Sequence, residues 1–583
     1  MTWIFLLTVV GFVICWSILF WGMGKGYDFT DDAHYLIWAS NPFIYPWSVS
    51  EFGVLWHPIY KLVGGDIKSF RLAGAAILSS SAAIFGWAVW RFVADRLPAA
   101  CALPLILAIT TSSFWAYLFW LPTPGYNDLN LCGLLLFSAG LTFAVPTAGS
   151  QLLRAGAIET AAKAALTSFG ACIIAFAKPT TAIGAGLIGL VWLIVFRPQR
   201  SLLFVGCIAM FSLIFFSVIV FPLDGNFQTF IQRELTGLHM LAIHSPTHGL
   251  DAMWRSITDP LVDLVTFPPI RNLMLVMLAI WFCWANLALW ARIRLTWLVN
   301  FISFVIALGV AIVVADWRVG GSTTFEYYIA LIAPMLLTIA LALALAVKGV
   351  HSKDRRPFPI VAIAATLPMI FSVGSGTPAI YHASQASVFW FTAAIILAVI
   401  APTEVRSRIF AGTAMFASFL TVGILVGAIA DPYRLQEPMW KQTERVEIGA
   451  LSSELFVDHS TASYIKDLQE AAAAHEFKLG MPIIDLTGDS PGTVFALGGE
   501  APGIPWLSGG YVGSPAYVRE TLSRVPHEHL RQAWVLTTTG KDAVPDAVLR
   551  SLELDFPHGY QTVGRACMGV PCMQHILWKP LVE

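Results

Sequence analysis

Thr30-Asp31-Asp32-Ala33-His34-Tyr35 is the stretch of this chain best equipped for chemistry, and it lies just past an apolar run from Trp3 to Gly22. A run of that length crosses a bilayer as one helix, which puts the paired acids at a membrane surface. Adjacent carboxylates beside hydrocarbon are costly unless they have a partner or a task. Three tasks fit them. They could supply a general base for a hydroxyl, ligate a metal, or cap a helix continued by Tyr35-Leu36-Ile37-Trp38, with Thr30 or Asp31 at its N-cap.

A base of this kind would work with cations that stabilise a departing anion. Lys178, in Phe176-Ala177-Lys178-Pro179-Thr180-Thr181, sits among apolar residues at a helix break and needs an anionic partner or a route to the headgroups. Arg318, in Asp316-Trp317-Arg318-Val319-Gly320-Gly321, precedes glycines that suit close anion approach; pairing with Asp316 or Glu326 is its simpler use. His57 and Lys61 lie on the aromatic segment Phe52–Val63, too short to span and expected in the interface, where both could touch a lipid phosphate or serve as anchors. His239, His244 and His248 are spaced by five and four, and no helix puts all three on one face, so a metal site is not expected there. Tyr126-Asn127-Asp128, after Pro122 and Pro124, reads as a turn.

The elements that must position these residues are mostly membrane helices. Of 583 residues, 57% are hydrophobic and only 12% charged, where soluble proteins carry about 25%. The net charge of −1 and the lack of a basic tract argue against nucleic-acid binding. Residues 1–23 lack a basic n-region and a small-residue cleavage site, so they read as a retained first helix. Apolar runs at 3–23, 70–92, 98–118, 129–146, 165–177, 180–196, 201–222, 273–290, 295–315, 327–347, 358–373, 386–401 and 409–429 predict about 13 transmembrane helices. Basic residues cluster in alternate loops: Arg91/Arg96, Arg154/Lys163, Arg197/Arg200, Arg292/Arg294, the Lys348–Arg356 group and Arg406/Arg408. The positive-inside rule makes these loops cytoplasmic. The N-terminus is then cytoplasmic, and the long loops 24–69 and 223–272 face out with residues 430–583.

About a fifth of the residues from Asp431 to Glu583 are charged, 31 of 153, close to the soluble value. The chain therefore divides into a membrane domain, 1–429, and an extracytoplasmic α/β domain, 430–583. In the latter, helices are expected at 464–475 (after a Ser460-Thr461 cap), 515–522 and 547–552, and strands at 482–486, 534–538 and 575–578. Six cysteines lie in or beside the apolar runs. Cys567 and Cys572, in Ala-Cys-Met-Gly-Val-Pro-Cys, are expected to form a disulfide in an oxidising compartment, with a two-ligand metal site as the alternative. Trp506 and Gly509-Gly510-Tyr511 could shape a saccharide surface, though turns explain them as well.

A first membrane helix followed by an outside loop opening with two acids and an aromatic resembles the C-type (GT-C) glycosyltransferases. In the protein O-mannosyltransferases and lipid A aminoarabinose transferases that loop carries an Asp-Glu pair. Asp31-Asp32 is similar to it, with Asp for Glu at the second place, and His34-Tyr35 resembles the His-aromatic pair of the mannosyltransferases. The span count and outside C-terminal domain look most like the aminoarabinose transferases. The resemblance implies a GT-C-like fold and Asp31 as base, with Asp32 orienting the acceptor or a cation.

The residues point the same way on physical grounds. Sugar nucleotides are cytoplasmic, and neither a Gly-rich phosphate loop nor a Rossmann pattern is present. An outward-facing transferase would draw a sugar from a polyprenyl-phosphate donor and pass it to a lipid, glycan or protein acceptor. One carboxylate base suffices for inversion. The residues call for no particular cofactor, and a divalent cation is possible. A bacterial-type inner membrane is the expected setting. A lipid-linked oligosaccharide polymerase or ligase would instead rely on later-loop arginines such as Arg233, Arg255 and Arg271. A transporter or flippase would need ionisable residues within the spans and internal repeats, and no convincing repeat is found.

Overall fold

The computed structural model describes residues 2–145, 156–198, 200–244, 250–291, 295–319, 324–349, 356–374 and 378–581, without the side chains of 2–3, 250, 253, 317–319 and 324–329. It shows a polytopic α-helical membrane protein with a mixed α/β region at its C-terminal end. In chain order the helices of the membrane part are α1 (Thr2–Gly22), α2 (Asp31–Ser40), α3 (Phe52–Leu62), α4 (Ile67–Val93), α5 (Ala102–Ser112), α6 (Tyr126–Ala144), α7 (Ala157–Ala177), α8 (Pro179–Phe196) and α9 (Ser201–Asp224). They continue with α10 (Phe227–His244), α11 (Leu250–Thr266), α12 (Pro268–Trp290), α13 (Thr296–Val319), α14 (Thr324–Val347), α15 (Pro357–Ser372), α16 (Ala379–Gln385), α17 (Val388–Ile400) and α18 (Thr403–Ala430).

Among the described residues, 11 helices are long and apolar enough to cross a membrane, or 12 if α16 and α17, bent by 64°, count as one. Each of the thirteen apolar runs coincides with a helical stretch; α15 has 16 residues, α17 has 13, and α5 reaches spanning length only with the helical turns on either side of it, Ala99–Tyr117. The run expected at 165–177 is longer than its apolar core suggests, because α7 starts at Ala157 and carries Glu159 and Lys163 in its first two turns. α2, α3, α10 and α11 are the non-spanning helices of the two long loops.

Without a hydrophobic drive between helices in lipid, close packing needs small residues where backbones approach. α6 and α7 meet this way: a Cβ on Gly170 would lie 2.3 Å from the Phe137 backbone nitrogen. α18 is buried along most of its length. The indole of Trp115 bonds its Thr421 hydroxyl at 3.0 Å.

Beyond α18 the chain forms a hairpin, β1 (Glu444–Ile448) with β2 (Ser453–Val457), and a four-stranded sheet of order β3-β4-β6-β5. Its strands are β3 (Ile483–Asp485), β4 (Trp534–Thr538), β5 (Tyr560–Met568) and β6 (Met573–Pro580). β3 and β4 are parallel, whereas β6 runs antiparallel to both neighbours. Helices α19 (His459–Ala474), α20 (Pro491–Ala496), α21 (Ser514–Leu522), α22 (His527–Arg531) and α23 (Ala547–Arg550) complete the region. Cys567 and Cys572 are joined by a disulfide at the β5–β6 turn. Asp458, and not Ser460 or Thr461, caps α19: its carboxylate accepts from Thr461 N at 3.0 Å and from both hydroxyls at 2.7 Å.

Gly170→Val is expected to destabilise the fold by about 1–3 kcal/mol through overpacking of α6 against α7. Unfolding of the purified protein in detergent measures it, and an unchanged transition would refute the close contact.

Candidate functional site

The acidic stretch is held from behind by one arginine. Arg71, on the first turns of α4, is fully buried and forms an ion pair with Asp32, also buried. The same guanidinium donates to the carbonyls of Met23 at 3.1 Å and of Lys25 and Gly26 at 3.2 Å, and to the Thr123 hydroxyl at 3.0 Å. It therefore stitches the exit of α1 to α4 and to the turn before α6. Asp32, expected beside Asp31 as an orienting helper, instead serves as the anchor of α2.

Capping of α2 also falls to a different acid. Thr30, at the N-cap, makes no side-chain cap bond, and the Asp31 carboxylate turns elsewhere. The Asp28 carboxylate accepts from the Thr30 backbone at 3.1 Å, from Asp32 N at 3.3 Å and from the Thr30 hydroxyl at 2.8 Å. A carboxylate just upstream, here reaching N–H groups two and four residues on, folds back onto the helix start, which Asp31, already inside the helix, does not do here.

Asp31 is left for other work. It accepts from the Tyr433 hydroxyl at 3.0 Å and lies 3.3 Å from the Arg434 guanidinium. Its side chain is 24% exposed and that of Arg434 44%, whereas Asp32 and Arg71 are sealed. Arg434 also donates to the Thr30 hydroxyl, which in turn donates a hydrogen bond to Asp28. Burial pushes the Asp31 carboxyl above its usual range, opposed by Arg434 and by the Tyr433 hydrogen bond. Asp28 is likewise pushed up, by burial and by the charge of Asp31.

Aromatic rings wall the acids. The His34 ring lies 5.5 to 6.0 Å from those of Tyr35, Trp38, Phe52 and Trp506. Burial pushes its imidazole down to about 4, so it is neutral at pH 7. Tyr35 is buried against Phe52 and against Tyr126 on α6, at 5.4 and 5.9 Å. Tyr126-Asn127-Asp128 proves to be the first turn of α6, where the Asp128 carboxylate accepts from Gly125 N at 2.9 Å. From the C-terminal region come Trp506, bonded to the Gly488 carbonyl at 2.9 Å, and Asp489, within electrostatic reach of Arg434.

The other expected residues are dispersed. His57 is buried with Nδ1 2.7 Å from the Ala39 carbonyl, tying α3 to α2. Lys61 ends α3, beyond the far end of α2. Lys178 is buried at the α7–α8 break, donating to the Phe371 carbonyl at 2.9 Å and lying within electrostatic reach of His382 on α16. Next to His382, the Tyr381 ring lies 6.1 Å from Phe119, itself 6.5 Å from Tyr433. Arg318 is in the last turn of α13, and its side chain lies outside the described residues. In the 223–272 loop, Arg233 is buried against Asp224 at 3.0 Å and the Tyr45 carbonyl at 2.6 Å, and Arg255 pairs with Asp251 on an exposed face. His244 packs on Tyr511 and Tyr517, each at 4.5 Å, and His248 lies outside the described residues. Among the described residues no group of three or more His, Cys, Asp or Glu is placed to hold a metal.

Sequence reasoning missed Asp28, Arg71, Tyr433 and Arg434. Arg71 carried a usable signal: a charge inside the apolar run 70–92 requires a partner.

No family profile matches the chain, and no curated protein matches it. Among solved structures it is similar to the crystal structure of ArnT from Cupriavidus metallidurans bound to undecaprenyl phosphate. The identity is 12% and the TM-score 0.44, over 99% of this chain and 98% of that one.

Arg71→Met, which leaves Asp32 buried without its partner, is expected to cost about 3–5 kcal/mol. Unfolding in detergent reads it; wild-type stability in this variant would show that the pair does not anchor the loop.

Proposed function

We propose that the protein is a membrane glycosyltransferase that moves a sugar from a polyprenyl-phosphate donor to an acceptor hydroxyl on the outer face of a bacterial-type inner membrane. The observation that carries this reading is the division among the acids. Asp28 and Asp32 are occupied inside the fold, while Asp31 stays partly exposed with Arg434 at 3.3 Å. A carboxylate base beside a solvent-reaching guanidinium meets both ends of such a displacement. The acceptor oxygen attacks the anomeric carbon and its proton passes to Asp31. The bond from that carbon to the phosphate oxygen breaks, and the phosphate leaves with the electron pair, facing Arg434. Inversion follows from a single displacement.

Lys178, on the other side of α16, is a second cation proposed for the donor phosphate. His34 and Tyr35 build the wall on which the sugar would rest. The domain division at 429/430 and the outward placement of residues 430–583 belong to the same reading, supported by the six basic loops and by an active site assembled from both parts of the chain.

Asp31→Asn is expected to lower transfer from a polyprenyl-phosphate sugar by roughly 10²–10⁴-fold while leaving unfolding unchanged; retained activity would sink the assignment. The base form of Asp31 is lost as pH falls through its raised pKa, so activity should drop on the acid side. Arg434 pulls that pKa down. Arg434→Met should therefore move the acid limb to higher pH, measured as a pH–rate profile, and an unmoved limb would contradict the pairing.

A further inference from the structure

Arg434 stands in a backbone conformation that needs outside support. Its φ is +55°, in the left-handed region that residues with a Cβ seldom adopt. Such a residue persists only where its surroundings hold it from several sides. Upstream, the Tyr433 amide donates to the Phe119 carbonyl at 2.8 Å. Downstream, Leu435 rests on Gly26, where a Cβ would lie 2.5 Å from its side chain. Both contacts tie the strip to the membrane part, and a third comes from the far end of the chain.

The β5–β6 turn makes that third contact. Gln436, two residues after Arg434, accepts from the Val570 amide at 3.0 Å through its side-chain oxygen. A Cβ on Gly569 would lie 2.3 Å from the Gln436 amide nitrogen, and Gly569 has a φ of +74°. Glycine suits both that backbone and that approach. Pairing of β5 with β6 stops at Met568 and Met573, so the tip from Gly569 to Cys572 lies outside the ladder. The Cys567–Cys572 disulfide closes it. The turn also reaches the other flank of the acids. The Ser490 hydroxyl donates to the Met568 sulfur at 3.3 Å, and the adjacent Asp489 is within electrostatic reach of Arg434.

We propose that the disulfide-closed β5–β6 turn is a positioning element of the candidate site: through Gln436 it fixes the strip that sets the Arg434 guanidinium against Asp31. Gln436 touches no reacting group and acts through Arg434. The contact is exposed, as are both cysteines. An exposed hydrogen bond contributes modestly, so this brace adjusts the guanidinium and does not carry the fold. It also makes the site sensitive to thiol chemistry. A small dithiol that opens the bond closes to its own disulfide, while Cys567 and Cys572 take up two electrons and two protons as thiols. The other six cysteines are unpaired, so this bond is the one such a reagent meets. The effect on transfer rests on the reading of Asp31 as base; the restraint on the strip does not.

Hydrogen exchange of the detergent-purified full chain, read by mass spectrometry over residues 433–437, tests the restraint without a transfer assay. Exchange there is expected to quicken in Gln436→Ala and on adding dithiothreitol, and reoxidation should restore the wild-type rate. Cys567→Ser combined with Cys572→Ser should reproduce reduction. In the transfer assay, reduction and Gln436→Ala should each lower kcat/KM roughly threefold to tenfold. Each should also move the acid limb of the pH–rate profile to higher pH, because a loosened Arg434 pulls less on Asp31. In Arg434→Met neither should shift the limb further. Unchanged exchange in both the reduced protein and Gln436→Ala would overturn the brace. Quickened exchange with an unmoved limb, where Arg434→Met does move it, would overturn the positioning role and leave a disulfide that serves the fold alone. An unmoved limb in Arg434→Met itself would overturn the reading of Asp31 and, with it, any effect of the brace on transfer.

Discussion

The buried pair of Arg71 and Asp32 is the constraint on which the acidic stretch and the helices around it depend. A guanidinium has five donors in a rigid fork and cannot give up its charge. Placed in a spanning helix, it must find acceptors or the helix cannot sit there. It finds a carboxylate, three carbonyls and a hydroxyl, all from segments that leave or approach the membrane. The chain leaving α1 is consequently led across α4, and α2 starts at a defined position and angle.

Three acids within five residues then do three different things because their environments differ. Asp32 meets a cation in the dark interior. Asp28 meets backbone amides at a helix start. Asp31, next to Asp32 in the chain and three residues from Asp28, meets a tyrosine and an arginine at the edge of solvent. The separation of roles arises from which neighbours each carboxylate reaches, not from any difference in side-chain chemistry. The neutral imidazole of His34 and the rings around it add an apolar wall that strengthens the electrostatics of the exposed acid.

Much of the fold was legible in the residues. Apolar runs of spanning length marked every membrane helix, because lipid demands internally satisfied backbone. Strands β3, β4 and β6 and helices α21 and α23 were visible as local patterns with turn residues between them. The β1–β2 hairpin and β5 were not: Glu444–Val457 is too charged to stand out, and β5 is defined by its partner β6. At the candidate site the acids were readable, but their partners were not. Arg434 lies about 400 residues downstream of Asp31, and no local period connects the two. Asp28 looked like an ordinary loop residue until the helix start it closes was placed. His57 has the chemistry of a ligand, yet its ring is taken by the Ala39 carbonyl, a tertiary fact that composition does not encode.

The position of Arg434 has a consequence for how such a protein can be inherited. It follows the last membrane helix by four residues, with Tyr433 pinned to the Phe119 carbonyl at 2.8 Å. The strip of chain joining the two parts is therefore not a plain tether, because it carries the side chains that hold Asp31. A C-terminal region exchanged for another at this junction would have to arrive with its own tyrosine and guanidinium in register with Asp31. The two parts of the chain are matched to each other at this one contact, and neither can be recast there without the other.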